Sequence, residues 1–136
     1  MALGEQLGES SGKITGTRVL TPVGGQVQME MSFQGSGNML GEEVTDAATY
    51  LQVVRPGGVF YGEGDALWVT SGGESAHFAG FGVGRPTGGF PAGHFAVCGS
   101  MQTASEKLAR LNSVAIVAEY DVEQDGSYRW TLWEWK

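Results

Sequence analysis

From Val27 onward the chain alternates. Val27, Met29, Met31 and Phe33 interleave with Gln28, Glu30, Ser32 and Gln34, the period of two that gives a strand one face for a core and one for water. Val114, Ile116, Ala118, Tyr120 and Val122 alternate in the same way with Ala115, Val117, Glu119, Asp121 and Glu123. Turn residues punctuate the pattern. Pro22-Val23-Gly24-Gly25 separates a strand over about 12–21 from one over about 26–36, and Gly35-Ser36-Gly37-Asn38 precedes a third over about 42–55. Arg55-Pro56-Gly57-Gly58 has Pro and Gly where a type II turn wants them. Strands four, five and six are predicted over about 58–70, 74–84 and 90–102, and Asp125-Gly126 divides the last two as a two-residue hairpin. Residues 1–10, rich in Gly, Glu, Gln and Ser, read as a flexible N-terminal arm, with 11–136 as a single domain. Only Thr103–Leu111 leaves the period. Thr103 and Glu106 have capping-box spacing, and Leu108 and Leu111 share a face, which predicts a two-turn helix.

Eight strands joined by short turns favour antiparallel neighbours. Strands this long suit a closed barrel, which has no edges to protect. The predicted fold is therefore all-β, an eight-stranded antiparallel up-and-down β-barrel with one short helix; the alternative is a β-sandwich.

Composition narrows the function. The 136 residues carry 8 Lys+Arg against 15 Asp+Glu, a net charge of −7. That excludes the basic patch that nucleic acid needs, and a polybasic membrane anchor. No apolar run approaches the ~18 residues of a membrane helix, and Met1–Glu9 has no signal-peptide pattern, so a cytoplasmic protein is expected. Glycine, at 23 residues, is far above the usual ~7 %. In strands, as at Gly62, Gly64, Gly80, Gly82 and Gly84, it relieves crowding at bends or leaves room for a ligand. Phe60, Trp68, Trp130, Trp133 and Trp135 are too many rings for one narrow lumen, so some must lie outside, and a homo-oligomer (dimer or trimer) is expected, with the C-terminal strand near its interface.

Several motifs dissolve on inspection. Gly80-x-Gly82-x-Gly84 opens no helix, so it reads as a kinked strand and not a dinucleotide site. Gly8-Glu9-Ser10-Ser11-Gly12 has the letters of a nucleophile elbow without its strand–turn–helix setting. His77 and His94 have no third ligand at metal spacing, so no metal and no cofactor are expected. Cys98 is too far from His94 to make a nucleophile pair and reads as a structural thiol. Arg85 opens a turn, which places it at the rim.

Strand four decides most. Tyr61, Glu63, Asp65 and Leu67 share one face, and Phe60, Gly62, Gly64, Ala66 and Trp68 the other. If the first face is inward, Glu63 is a desolvated general acid or base; if the second, the carboxylates are solvated. Tyr50 and Tyr120 are further polar groups for a lumen. The stretches Tyr61-Gly62-Glu63-Gly64-Asp65, Gly80-Phe81-Gly82-Val83-Gly84-Arg85, Gln102–Asn112 and Trp133–Lys136 resemble a group of small bacterial proteins with no assigned activity, over roughly residues 35–136. The layout is also similar to the allene oxide cyclase-type barrel, whose superfamily includes dirigent proteins and polyketide cyclases. No catalytic motif of those enzymes aligns, so the resemblance implies a barrel and no residue roles.

The expectation is thus a small-molecule-binding barrel for an apolar or aromatic ligand, with a cofactor-independent cyclase or isomerase as one form of it. Glu63, Tyr50 and Tyr120 are the candidate catalytic groups, and Tyr61, Asp65, His77, His94 and Trp68 the ligand-binding ones. The alternative is a non-catalytic ligand carrier or structural barrel subunit.

Overall fold

The alternation closes on itself. A computed structural model describes residues 2–136. It has eight strands: β1 (Leu3–Val23), β2 (Gln26–Met39), β3 (Glu42–Arg55), β4 (Val59–Thr70), β5 (Ser75–Pro86), β6 (Gly93–Thr103), β7 (Ala115–Val122) and β8 (Ser127–Trp135). Each pairs antiparallel with its sequence neighbours, and β1 pairs with β8 to close the barrel. The turns at 24–25, 56–58, 87–92 and 123–126 share one end. Those at 40–41 and 71–74 share the other with the 104–114 segment. That segment caps its end by burying Leu108 and Leu111 in the core.

The lumen is packed. Trp68 and Trp130 stack inside it with centroids 5.4 Å apart, and Phe33 packs on Tyr128 at 4.1 Å. Each such ring stabilises the fold by about 1.5–3 kcal/mol. The glycines make room for this packing. A Cβ at Gly64 would lie 2.3 Å from the Thr49 carbonyl oxygen, and one at Gly80 2.5 Å from that of Cys98. At these two positions the strands therefore approach too closely for any side chain.

Three local readings need correction. Residues 3–10 are not an arm but the first half of β1, paired with β8 from Leu3↔Trp135 to Ser10↔Trp130. Gly4 and Gly8 hide the alternation there, and Leu7 is buried. The 103–111 segment forms no two-turn helix. The Thr103 hydroxyl accepts from the Ser105 amide and donates to the Ser75 carbonyl, and Ser105 Oγ accepts from the Leu108 amide. Such local bonds compete with helix, and only a 3-10 turn at Ala109–Ser113 follows. Finally, the last hairpin is longer than two residues. The Gly126 amide bonds to the Glu123 carbonyl, and Gly126 alone has positive φ, 87°, which makes a turn followed by a glycine bulge.

Candidate functional site

The structure turns the glycine face of β4 inward. Gly62, Ala66, Trp68 and Thr70 are buried, while Glu63 and Asp65 are exposed. Burying Phe60 and Trp68 is favourable, whereas turning the other face in would desolvate two carboxylates. Glu63 is therefore outside the lumen, which corrects its reading as a luminal acid or base. Tyr61, Asp65 and His77 are on the same outer surface. Tyr61 Oη donates to Glu63 Oε2 at 3.0 Å beneath the Arg55 guanidinium, 4.0 Å from the ring. His77 Nε2 meets Asp65 Oδ1 at 2.7 Å in the open, a pairing that adds little stability. Asp65 and His77 help line a shallow outer hollow of about 360 Å³. His94 pairs with Asp121 on the outside, Nδ1 to Oδ1 at 2.6 Å. Arg85 is exposed, and Cys98 is half-buried on the outer rung between Phe81 and Val117. Trp68 is in the lumen, but as core: it does not touch the cavity described next, and its indole N–H has no partner among the described residues.

Tyr50 and Tyr120 do meet inside. Their hydroxyl oxygens are 3.0 Å apart, on the wall of a cavity of about 60 Å³ lined by Phe33, Phe78, Phe95 and Trp130 and by the glycine wall of β4 and β5. The site's elements explain the meeting. Tyr50 is on the inward parity of β3 with Ala48, and Tyr120 on that of β7 with Ile116 and Ala118, so strands from opposite sides aim both phenols at the centre. Two hydroxyls hold two hydrogens, and one contact uses one of them. The other finds no acceptor among the described residues. Burial pushes Tyr50 up to about 12, partly offset by the hydrogen bond from Tyr120. Burial, then the neighbouring Tyr50, pushes Tyr120 well above the ordinary tyrosine range. At neutral pH the pair is thus a set of hydrogen-bond donors and no base.

Behind this wall is the carboxylate that sequence reading passed over. Asp46 is 4 % exposed. It accepts from Ser10 Oγ at 2.7 Å, Trp130 Nε1 at 3.2 Å and Tyr128 Oη at 3.1 Å. Burial raises its pKa, and the three hydrogen bonds only partly restore it. Asp46 does not line the cavity; Trp130 does, while holding Asp46 by its indole N–H. A signal was present: Asp46 has the strand parity of Val44, Ala48 and Tyr50.

No family model matches the chain, and no curated protein does. Solved structures do. A conserved protein of unknown function from Rhodopseudomonas palustris superimposes with a TM-score of 0.82 at 12 % identity, covering 98 % of each chain. A beta-barrel like protein from Acinetobacter baumannii gives 0.82 at 14 %, covering 99 % of this chain and 96 % of that one. An enzyme from Penicillium herquei gives 0.68 at 16 %, covering 96 % and 92 %. At these identities the likeness shows the fold alone.

Proposed function

We propose that the protein is a small-molecule-binding barrel, and that its ligand is apolar with one acceptor oxygen held by the Tyr50–Tyr120 pair. The observation that carries this reading is the spare hydroxyl hydrogen on an otherwise apolar wall. An unpaired buried donor costs about 1–3 kcal/mol, and a carbonyl oxygen would relieve that. A neutral donor, polarised by the second hydroxyl, also suits a developing oxyanion, which is the form a cyclase or isomerase reading takes here. With Glu63 outside and Asp46 behind Trp130, that form relies on donors and does without a luminal base. The likeness of layout to allene oxide cyclase-type barrels agrees with this reading and adds no residue to it.

A second reading, a structural barrel with a filled lumen, is favoured by the cavity's size. An apolar cavity of ~150 Å³ admits benzene; at about 60 Å³ this one takes a smaller guest or needs an aromatic wall residue to move. A matched pair of smaller guests separates the readings: acetone and isobutane, titrated by NMR against the wild type and the Tyr50→Phe/Tyr120→Phe double variant. The binding reading expects the wild type to bind the ketone roughly tenfold tighter than the double variant does, the worth of one hydrogen bond, and the hydrocarbon not to distinguish the two proteins. No binding of either at millimolar concentration overturns it in favour of the structural barrel.

A further inference from the structure

The outer face of β4 and β5 is apolar in a way that the lumen does not explain. Val59, Phe81 and Val83, three of the large exposed hydrophobics, adjoin one another on this surface at 43, 52 and 49 % exposure, with Leu67 on the far side of Asp65. Tyr61 stacks on Phe81 among them, centroids 6.4 Å apart. Single exposed apolar residues are ordinary, but a contiguous set marks a contact surface.

The charges around the patch are ordered. In register, the rung Arg55–Val59 continues past Arg85 to His94, all at the end of the strands nearest the 56–58 turn. Three rungs away along the strands, about 20 Å, is the rung Thr49–Asp65–Ala79–Ser100. Between them are two mostly apolar rungs, Val53–Tyr61–Val83–Ala96 and Leu51–Glu63–Phe81–Cys98, whose one charged group, Glu63, accepts from the Tyr61 hydroxyl. One edge therefore carries Arg55 and Arg85, with His94 paired to Asp121, and the other carries Asp65, paired to His77.

We infer that this face is the interface of a homodimer whose two-fold axis crosses the strands between Phe81 and Val83. Such an axis, in the plane of contact, reverses the strands and keeps their lateral order. Phe81 of each copy then meets Val83 of the other. The basic rung of one copy faces the Asp65 rung of the other, with Asp65 opposite Val59 and flanked by Arg55 and Arg85. The alternative axis, along the strands, would set Arg85 against Arg85. A patch that carries its own complement is what a two-fold interface requires; a different partner would need to reproduce both signs in the same order. The two arginines also give a chain of net charge −7 a local attraction to its own acidic edge. Trp133, the sequence-based candidate for the interface, is half-buried on the same rung as Phe81 but three strands around the barrel, beyond Cys98 and Val117.

Sedimentation velocity from 5 to 200 μM tests this. The wild type is expected to sediment as a dimer, and Phe81→Glu as a monomer with an unchanged circular dichroism spectrum. Arg85→Glu and Asp65→Arg should each weaken the dimer at least tenfold, since each places like charges opposite one another, and the double variant should recover most of the loss. A wild type that is monomeric throughout overturns the proposal. So does a dimer that ignores Phe81→Glu, or a double variant weaker than both singles. If Phe81→Glu fails to fold, the charge reversals decide alone.

Discussion

Asp46 and the Glu63–Asp65 pair are carboxylates on neighbouring strands, and the barrel treats them in opposite ways. Asp46 is sealed inside with three donors, whereas Glu63 and Asp65 stand in water beside a tyrosine and a histidine. The difference lies in what each carboxylate replaces. Inside, three donor groups on β1 and β8 converge on Asp46, and without it only the 3.3 Å contact between Ser10 Oγ and Tyr128 Oη would remain to them, so the carboxylate answers a need that the sheet itself creates. Outside, water serves either carboxylate as well as its protein partner does. Burial alone thus does not mark importance; the number of groups left unsatisfied on removal does.

The contrast can be broken in order of size. Asp46→Ala should destabilise by about 3–5 kcal/mol, because it strips Ser10, Tyr128 and Trp130 of their acceptor at once; urea denaturation measures this, and a loss below about 1 kcal/mol would make the interior network dispensable. Gly35→Ala should cost about 2–4 kcal/mol, since its Cβ would lie 2.1 Å from Tyr128 Oη and 2.3 Å from the Ser11 carbonyl oxygen. Gly62→Ala, whose nearest neighbours are 3.6 Å away, serves as the tolerated control in the same melts.

A subtler test uses pH. Burial holds the Asp46 carboxyl above its ordinary value of 3.8, so the native state keeps that proton to higher pH than the unfolded chain does. Its stabilising contribution is fully present below 3.8 and falls as pH rises through the folded value. The wild type should therefore lose ground to Asp46→Asn as pH is raised from about 4 to 7, and a gap that does not move with pH would contradict the raised value. Smallest of all, in the Phe81→Glu background, where Glu63 faces water on a monomer, Glu63→Gln should change stability by no more than about 0.5 kcal/mol at pH 5 and pH 8 alike. A larger, pH-dependent change would put Glu63 back among buried groups.

Much of the barrel was legible because turns announce themselves chemically. Pro56-Gly57 sets a turn whose Gly57 has φ 83° and ψ 5°, and β3, β4 and β5 begin within a residue of their predicted starts. The inward face of β4 was not legible. Its luminal side is one-third glycine, which carries no hydrophobic signal, and its outer side is apolar enough to imitate a core. The same silence hid the start of β1. Tyr50 and Tyr120 could be picked out as luminal from parity, but their meeting depends on strands on opposite sides of the ring, which no local pattern encodes. Asp46 was missed because a lone acid on a strand usually faces water.

Seven of the eight strand pairings join neighbours along the chain; the eighth, β1 with β8, joins residues such as Glu9 and Arg129, 120 positions apart. Hairpins form locally and fast, but bringing such distant ends together costs about 4 kcal/mol of loop entropy plus a constant, so this seam is the natural last step of folding and the first to part in a partial opening. Its register is also broken at two places between Leu3 and Gly8. Asp46, reaching across from β3, holds Ser10 on one lip of the seam and Tyr128 and Trp130 on the other. A single carboxylate thus works as a clasp on the one joint where the chain could come undone, and amide exchange along β1 and β8 would follow its loss before any other strand responded.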